Sequence, residues 1–297
     1  MLRVIAVVNQ KGGVAKTTTV VNLAVALAKL GKKTVVVDLD PQANATQALG
    51  VQIAEQGSET PSVYEVLLDS LPLAEALSAT ETKNLQCVRS TVDLAGAEVE
   101  LVEFEGRESI IAKSLAEFVE SDAGKSTDFV VIDCPPSLGL LTLNALVATQ
   151  ELLVPIQAEF YALDGLGQLV TTINLVRQGL NPSLAVDHIV LTMVDTADSG
   201  QRHVVDEVYS YFAPEVVLGQ VPRDPHTHTA PAAGKTVVGE SPESPAAKAY
   251  GDIASVLVKK PGRKPTAATE SKKQPVKPKK TSKKSTKAAT KTASKKG

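Results

Sequence analysis

Residues 10 to 18 read Gln-Lys-Gly-Gly-Val-Ala-Lys-Thr-Thr, directly after the apolar run Val4-Ile5-Ala6-Val7-Val8 and directly before a helical pattern. A strand, a loop of small residues and a helix N-terminus together make an anion site, because backbone N–H groups and the positive helix end converge on phosphate oxygens. The ordinary pattern G-x-x-x-x-G-K-[ST] fails here: Gln10 and Ala15 stand at its glycine positions, while Gly12, Gly13 and a second lysine, Lys11, are supplied instead. Lys16 is placed for β/γ-phosphates and Thr17 for Mg2+, with Val14, Ala15 and Thr18 completing the cradle. Lys11 lies on the far side of the turn from its own nucleotide, so a phosphate on a facing subunit is its natural target.

Two further acidic stretches belong beside such a loop. Asp38-Leu-Asp40-Pro41-Gln42 follows the β-branched run Thr34 to Val37. Two carboxylates there would repel a nucleotide unless Mg2+, water or lysine intervenes. Phe129-Val-Val-Ile-Asp133 is four apolar residues and then an acid, which is the Walker B arrangement. Asp133 would bind Mg2+ through water, and Pro135-Pro136 would fix the start of the next switch segment.

These residues need elements to position them. Val20, Leu23, Ala24, Leu27 and Leu30 recur at helical spacing before Gly31, a helix stop. Buried-strand candidates follow at 129–133, 151–155, 188–194 and 216–221, with helical stretches between them. That alternation predicts a doubly wound, mostly parallel sheet with helices on both faces, of P-loop NTPase type, with ligand at the strand C-terminal ends. The segment 51–61 reads as a loop, 67–81 as peripheral helices, 222–245 as an irregular excursion, and 245–258 as a final helix.

The chain has 297 residues, 43% of them apolar, and two cysteines, Cys87 and Cys134, without metal-site or disulfide spacing. No apolar run approaches the ~20 residues of a membrane span and no signal-peptide pattern is visible, so a cytoplasmic protein is expected. The net charge of −2 conceals two unlike parts. Residues 259–297 hold fifteen Lys/Arg and one acid, while the other 258 hold sixteen Lys/Arg and thirty-two acids. The organisation expected is a folded domain over 1–258 and a disordered basic arm over 259–297, which lacks the apolar residues to fold alone.

The K-G-G-x-x-K-T-T loop resembles the deviant Walker loop of the ParA/MinD superfamily of ATPases. Ser90-Thr-Val-Asp-Leu-Ala-Gly-Ala-Glu98, the stretch from Pro136 to Ala145, Pro155-Ile-Gln-Ala-Glu159 and Ala162-Leu-Asp-Gly-Leu166 are similar to ParA/Soj partition ATPases in order and spacing. That resemblance implies ATP/ADP and Mg2+ as ligands and a homodimer closed by ATP. It also implies nonspecific DNA binding, association with the nucleoid and a ParB-like centromere-binding partner that stimulates hydrolysis. It places Asp40 in switch I, positioning the attacking water, has Asp38 support the metal and switch geometry, and makes Met193 and Pro222 adenine contacts.

Three departures accompany it. Ala15 replaces the usual glycine; its methyl is tolerated at negative φ and otherwise crowds the nucleotide or the facing subunit, slowing ATP handling. The positions of two DNA-binding arginines hold Ala197 and His226. The arm offers a replacement through Lys259, Lys260, Arg263, Lys264, Lys272, Lys273, Lys279, Lys280, Lys283 and Lys284, which would neutralise phosphates without reading bases. Three alternatives stay open: a MinD-like membrane-positioning ATPase, against which stands a tail without an apolar face; an iron-sulfur reductase using Cys134; and a non-hydrolysing DNA-binding regulator.

Overall fold

Along the strands, successive side chains enter opposite layers, as the continuous apolar runs require of a sheet covered on both faces. A computed structural model describes residues 2–53, 60–159 and 162–262, and of 162–166 the backbone alone. The strands are β1 (Arg3–Val7), β2 (Thr34–Asp38), β3 (Leu77–Ala79), β4 (Leu85–Val88), β5 (Phe129–Asp133), β6 (Glu151–Gln157), β7 (Val186–Val194) and β8 (Val217–Pro222). They form one sheet in the order β3-β4-β2-β5-β1-β6-β7-β8. Every pairing is parallel except that of β3 with β4.

The helices are α1 (Lys16–Lys29), α2 (Asn44–Ala48), α3 (Val63–Leu68), α4 (Leu94–Glu100), α5 (Ile110–Glu120), α6 (Asp122–Ser126), α7 (Leu140–Ala148), α8 (Ala162–Gly179), α9 (Ser199–Tyr211), α10 (His226–Thr229), α11 (Val237–Glu240) and α12 (Pro245–Lys259). Val4, Ala6, Val37 and Ile132 pack with α3, α4, α5, α7 and α8 on one side. Ile5, Val7, Val36 and Val131 pack with α1, α2, α11 and α12 on the other. The architecture is the doubly wound, mostly parallel sheet expected. Each buried Val, Ile or Leu contributes roughly 1.5–3 kcal/mol, so the two layers outweigh the local strain in the loops described below.

Helix α1 ends where the sequence indicates. Gly31 takes φ +80, and the Lys32 N–H reaches back to the Leu27 carbonyl at 3.1 Å, the left-handed glycine closure of a helix. Leu30 belongs to that closure and is exposed rather than buried.

The stretch 67–81 departs from expectation. Only α3 is helical there, and it begins upstream at a capping box between Ser62 and Glu65. The chain then turns at Ser70 with φ +58, passes Pro72 and enters the edge strand β3. Leu73 and Ala76 are buried without being helical, so the leucine-alanine richness reports burial, not helix. Strands β3 and β4, of three and four residues, are too short to show a period. The excursion 222–245 is irregular apart from one-turn pieces at α10, the 3-10 turn Pro231–Ala233 and α11.

At the N-terminal end of the sheet a buried ionic cluster ties three strands to α12. The Arg3 guanidinium grips Glu151 with two bonds of 2.8 and 2.6 Å, and His188 Nε2 lies 2.7 Å from the same carboxylate. Burial alone would raise the Glu151 pKa, but the bonds from Arg3 and His188 hold it down at about 2. Arg3 also donates to the carbonyls of Leu257 and Lys260, at 2.7 and 3.1 Å. Among the described residues no helix is long and apolar enough to cross a membrane.

Candidate active site

The C-terminal ends of β1, β2, β5, β7 and β8 surround a cavity of about 430 Å3, within the range of small-molecule sites. Its lining includes Gly12, Gly13, Ala15, Lys16, Thr17, Thr18, Asp40, Pro136, Met193 and Pro222. Segments separated by more than two hundred residues therefore meet where the parallel sheet directs its loops.

The loop after β1 is pinned from within: Asn9 Nδ2 donates to the Pro155 carbonyl at 2.8 Å, and Asn9 Oδ1 accepts the Lys11 N–H at 3.0 Å. Gly13 and Ala15 both lie in the left-handed region, φ +75 and +65. Ala15 therefore does not take the negative φ at which its methyl would be tolerated without strain. Its methyl is held in a conformation that costs an L-residue about 1–2 kcal/mol. Ala15 also offers α1 no side-chain cap, so the first N–H groups of the helix remain free to bind an anion. Val14 is buried behind the loop, where its carbonyl accepts the Thr192 hydroxyl at 3.1 Å.

Lys16 is buried beneath the loop, and its Nζ donates to the Lys11 carbonyl at 3.3 Å. Burial pulls its pKa down, opposed by the charges of Asp133 and Asp40. Asp133 is completely buried and neither carboxyl oxygen completes a hydrogen bond. Burial first, and the charge of Asp38 second, push its pKa well up; the neighbouring Thr17 hydroxyl and Lys16 only partly offset this. A buried carboxyl with two unengaged oxygens beside a hydroxyl is a set of hard donors that fits a divalent cation of the Mg2+ kind.

Asp38 braces the loop that carries Asp40. Its oxygens serve the loop rather than the cavity: Oδ2 accepts the N–H and hydroxyl of Thr46, at 2.8 and 2.7 Å, and Oδ1 accepts the Asp40 N–H at 3.1 Å. Burial raises its pKa to about 6 against these bonds. Asp40 is the carboxylate that lines the cavity, and its Oδ1 accepts the Gln42 N–H at 3.0 Å. Pro136 lines the cavity and Pro135 does not.

Lys11 stays out of the cavity and pairs with Glu159 at 2.9 Å, both side chains being exposed. Ala197 and His226 lie exposed at the ends of the β7 and β8 loops; Arg223 is exposed nearby, and Arg202 donates to the Thr196 carbonyl at 3.1 Å. Of the basic residues assigned to the arm, Lys259 and Lys260 close α12, and Lys260 Nζ donates to the Glu215 carbonyl. Arg263, Lys264, Lys272, Lys273, Lys279, Lys280, Lys283 and Lys284 lie outside the described residues.

Sequence reasoning missed Thr192, Thr227, His228 and Tyr250, which also line the cavity. Thr192 sits in the stretch that carries Met193. Nothing in the pattern around His228 marks it, because only the fold brings the excursion after β8 over the cavity. Met193 itself takes φ +53, a strained conformation of the kind found at binding sites. Cys87 and Cys134 are both fully buried with thiol pKa values raised by that burial, so the iron-sulfur alternative has no surface thiolate.

A family model described as an AAA domain matches residues 2–186. The chain is 44% identical over 258 residues to the chromosome partitioning protein ParA of Myxococcus xanthus, covering 87% of this chain and 88% of the relative. It is 42% identical over 254 residues to the sporulation initiation inhibitor protein Soj of Bacillus subtilis, covering 86% and 97%. Among solved structures, cobyrinic acid a,c-diamide synthase of Mycobacterium smegmatis with bound ATP analog and magnesium is similar at 37% identity and a TM-score of 0.73, over 87% of this chain and 95% of that one. Matching a relative nearly end to end at such identity, with the strand-loop-helix and strand-end carboxylates already placed by the fold, leaves one assignment: the chain belongs to the ParA/Soj family of chromosome-partitioning ATPases within the ParA/MinD superfamily.

Proposed function

We propose that the chain is a Mg2+-dependent partition ATPase that dimerises on ATP, binds nonspecific DNA and is released when a ParB-like partner stimulates hydrolysis. The observation that carries the ATPase chemistry is the fully buried, unpartnered carboxylate of Asp133 behind Lys16 and the uncapped start of α1. No structural role accounts for such a group, and a cation bound with phosphates does.

In this reading Gly12 to Thr18 cradle phosphates with backbone N–H groups. Lys16 supplies a point charge to the β/γ-oxygens, strengthened by its partial exclusion from water. Thr17 and Asp133 hold Mg2+, which when bound neutralises the charge that develops on the phosphates. Asp40 orients the attacking water, and Asp38 fixes the Asp40 loop. Pro135 and Pro136 start the second switch, while Met193 and Pro222 flank the base. Lys11 acts across the dimer on the facing nucleotide.

DNA binding is assigned to the basic residues from Lys259 onward, because Ala197 and His226 stand where the family's arginines would and the domain over 1–258 is acidic. Nucleoid association follows from that affinity. The names of the relatives, which refer to chromosome partitioning, support the cellular role.

Nucleotide titration with light scattering tests the assignment. Lys16→Ala loses ATP binding, whereas Asp40→Ala binds ATP and accumulates as a non-hydrolysing dimer. Normal turnover in Asp40→Ala would sink it.

A further inference from the structure

The stretch from Ser90 to Glu98 touches both sides of the site. At one end the Ser90 N–H donates to Thr46 Oγ1 at 2.9 Å, and the Ser90 hydroxyl donates to the Asp40 carbonyl at 2.6 Å. Thr46 is the residue whose N–H and hydroxyl hold Asp38, and Asp38 in turn holds the Asp40 N–H. Ser90, Thr46 and Asp38 are each completely buried. The Asp40 backbone is thereby gripped at its N–H and at its carbonyl.

At the other end Glu98 Oε1 accepts the Leu141 N–H at 3.3 Å. Leu141 is in the first turn of α7, the helix that follows Pro135 and Pro136, and its N-cap Gly139 gives it no side-chain cap. Glu98 takes that place and adds a negative charge at the positive helix end. The approach is close: a Cβ on Gly139 would stand 1.9 Å from Glu98 Oε1.

Little slack lies between the two ends. The Leu94 N–H bonds to the Thr91 carbonyl and the Gly96 N–H to that of Asp93. Helix α4 then carries the chain to Glu98, with Leu94 and Ala97 fully buried. Asp40 and the first turn of α7 cannot move independently without breaking bonds to this segment.

We propose that residues 90–98 are a strap coupling the Asp40 loop to the Pro135–Pro136 loop and α7, with Thr46, Ser90 and Glu98 as positioning residues for ATP hydrolysis. The hydrolytic part rests on the function proposed above; the mechanical part does not. None of the three is itself part of the cavity lining, so their influence on the reaction passes through Asp40, which Ser90 holds, and through the loop that carries Pro136.

Gly139→Ala is the cleanest probe. With φ −81 and ψ −168 the position accepts alanine, and the new methyl evicts the Glu98 carboxylate without deleting a charge. Amide hydrogen exchange is measured on the full, nucleotide-free chain, with β1 amides as the control for retained folding. Gly139→Ala raises exchange at residues 141–143 and also at 40–46, and Ser90→Ala raises it at both places from the opposite end. A rise confined to the mutated side overturns the strap. Steady-state hydrolysis forms the second arm. Each variant lowers kcat by roughly tenfold with ATP affinity kept within about threefold. The double variant is no slower than the slower single one, and Glu98→Gln, which keeps an acceptor, retains most activity. Additive losses, or equal losses of affinity and turnover, overturn the positioning roles. A wild-type chain without ATPase activity overturns the proposed function instead, and exchange still decides the strap.

Discussion

Lys11 and Glu159 meet at 2.9 Å on the rim of the loop, outside the cavity that holds the other lysine of the motif. An exposed pair of this kind is worth about 0–1 kcal/mol, so the ammonium is readily surrendered to a stronger anion. Lys11→Ala is expected to keep nucleotide affinity and to lose ATP-dependent dimerisation. Light scattering of the variant with ATP checks this, and an unchanged dimer would contradict the role.

Ala15→Gly is expected to stabilise the protein. The left-handed φ of +65 penalises alanine by about 1–2 kcal/mol, and glycine returns part of this as unfolded-state entropy. A net gain of about 1 kcal/mol raises Tm by roughly 2–4 °C in a domain of this size. Thermal melts of the nucleotide-free chain decide it, with an unchanged or lower Tm against the strain argument.

The buried carboxyls of Asp38 and Asp133 make the stability of the nucleotide-free chain depend on pH. Asp38 titrates at about 6, and Asp133 is shifted in the same direction by burial. Both folded pKa values lie above the unfolded ones, so the folded state holds the extra protons. The contribution of these two groups is then fully present below about pH 4, and that of Asp38 is lost as pH rises through about 6. Asp133→Asn removes one of the two groups, so its Tm advantage over the wild type opens above about pH 4 and widens toward neutrality. The same variant loses stabilisation by Mg2+ with nucleotide. Melts from pH 4 to 8 in EDTA, and again with MgADP, test both statements; a gap constant with pH would contradict the burial argument.

The basic arm is best removed after Gly262. Cutting at Val258 would delete the Lys260 carbonyl that Arg3 holds at 3.1 Å. A chain ending at Gly262 is expected to bind ATP normally and to lose most DNA affinity. The full chain is expected to weaken by roughly three to five decades between 50 and 200 mM salt if about six to ten phosphates are engaged, with no sequence preference. Equal affinity in the two chains by gel shift would return DNA binding to the folded domain.

The phosphate loop and the strand-end acids were legible because their chemistry is local: Lys16 and Thr17 adjoin one strand, and Asp133 ends another. The Ala15 conformation was not, since φ is set by the closure of the whole loop and not by its letters. Asp38 and Asp40 look equivalent in sequence, and only Thr46, eight residues beyond Asp38, decides which of them faces the cavity. The bond from Glu98 to Leu141 joins elements 43 residues apart and leaves no periodic trace. Strands β3 and β4 were missed because alternation over three or four residues carries no signal against the leucines that precede them.

Arg3 grips both Glu151, the first residue of β6, and the carbonyls of Leu257 and Lys260 at the end of α12, and its side chain lies against Gly262. The beginning and the exit of the folded chain are thus fastened together at the end of the strands away from the cavity. Tension applied at Gly262 would thus be borne by Arg3 and by strands β1 and β6, and not by the loops that line the cavity.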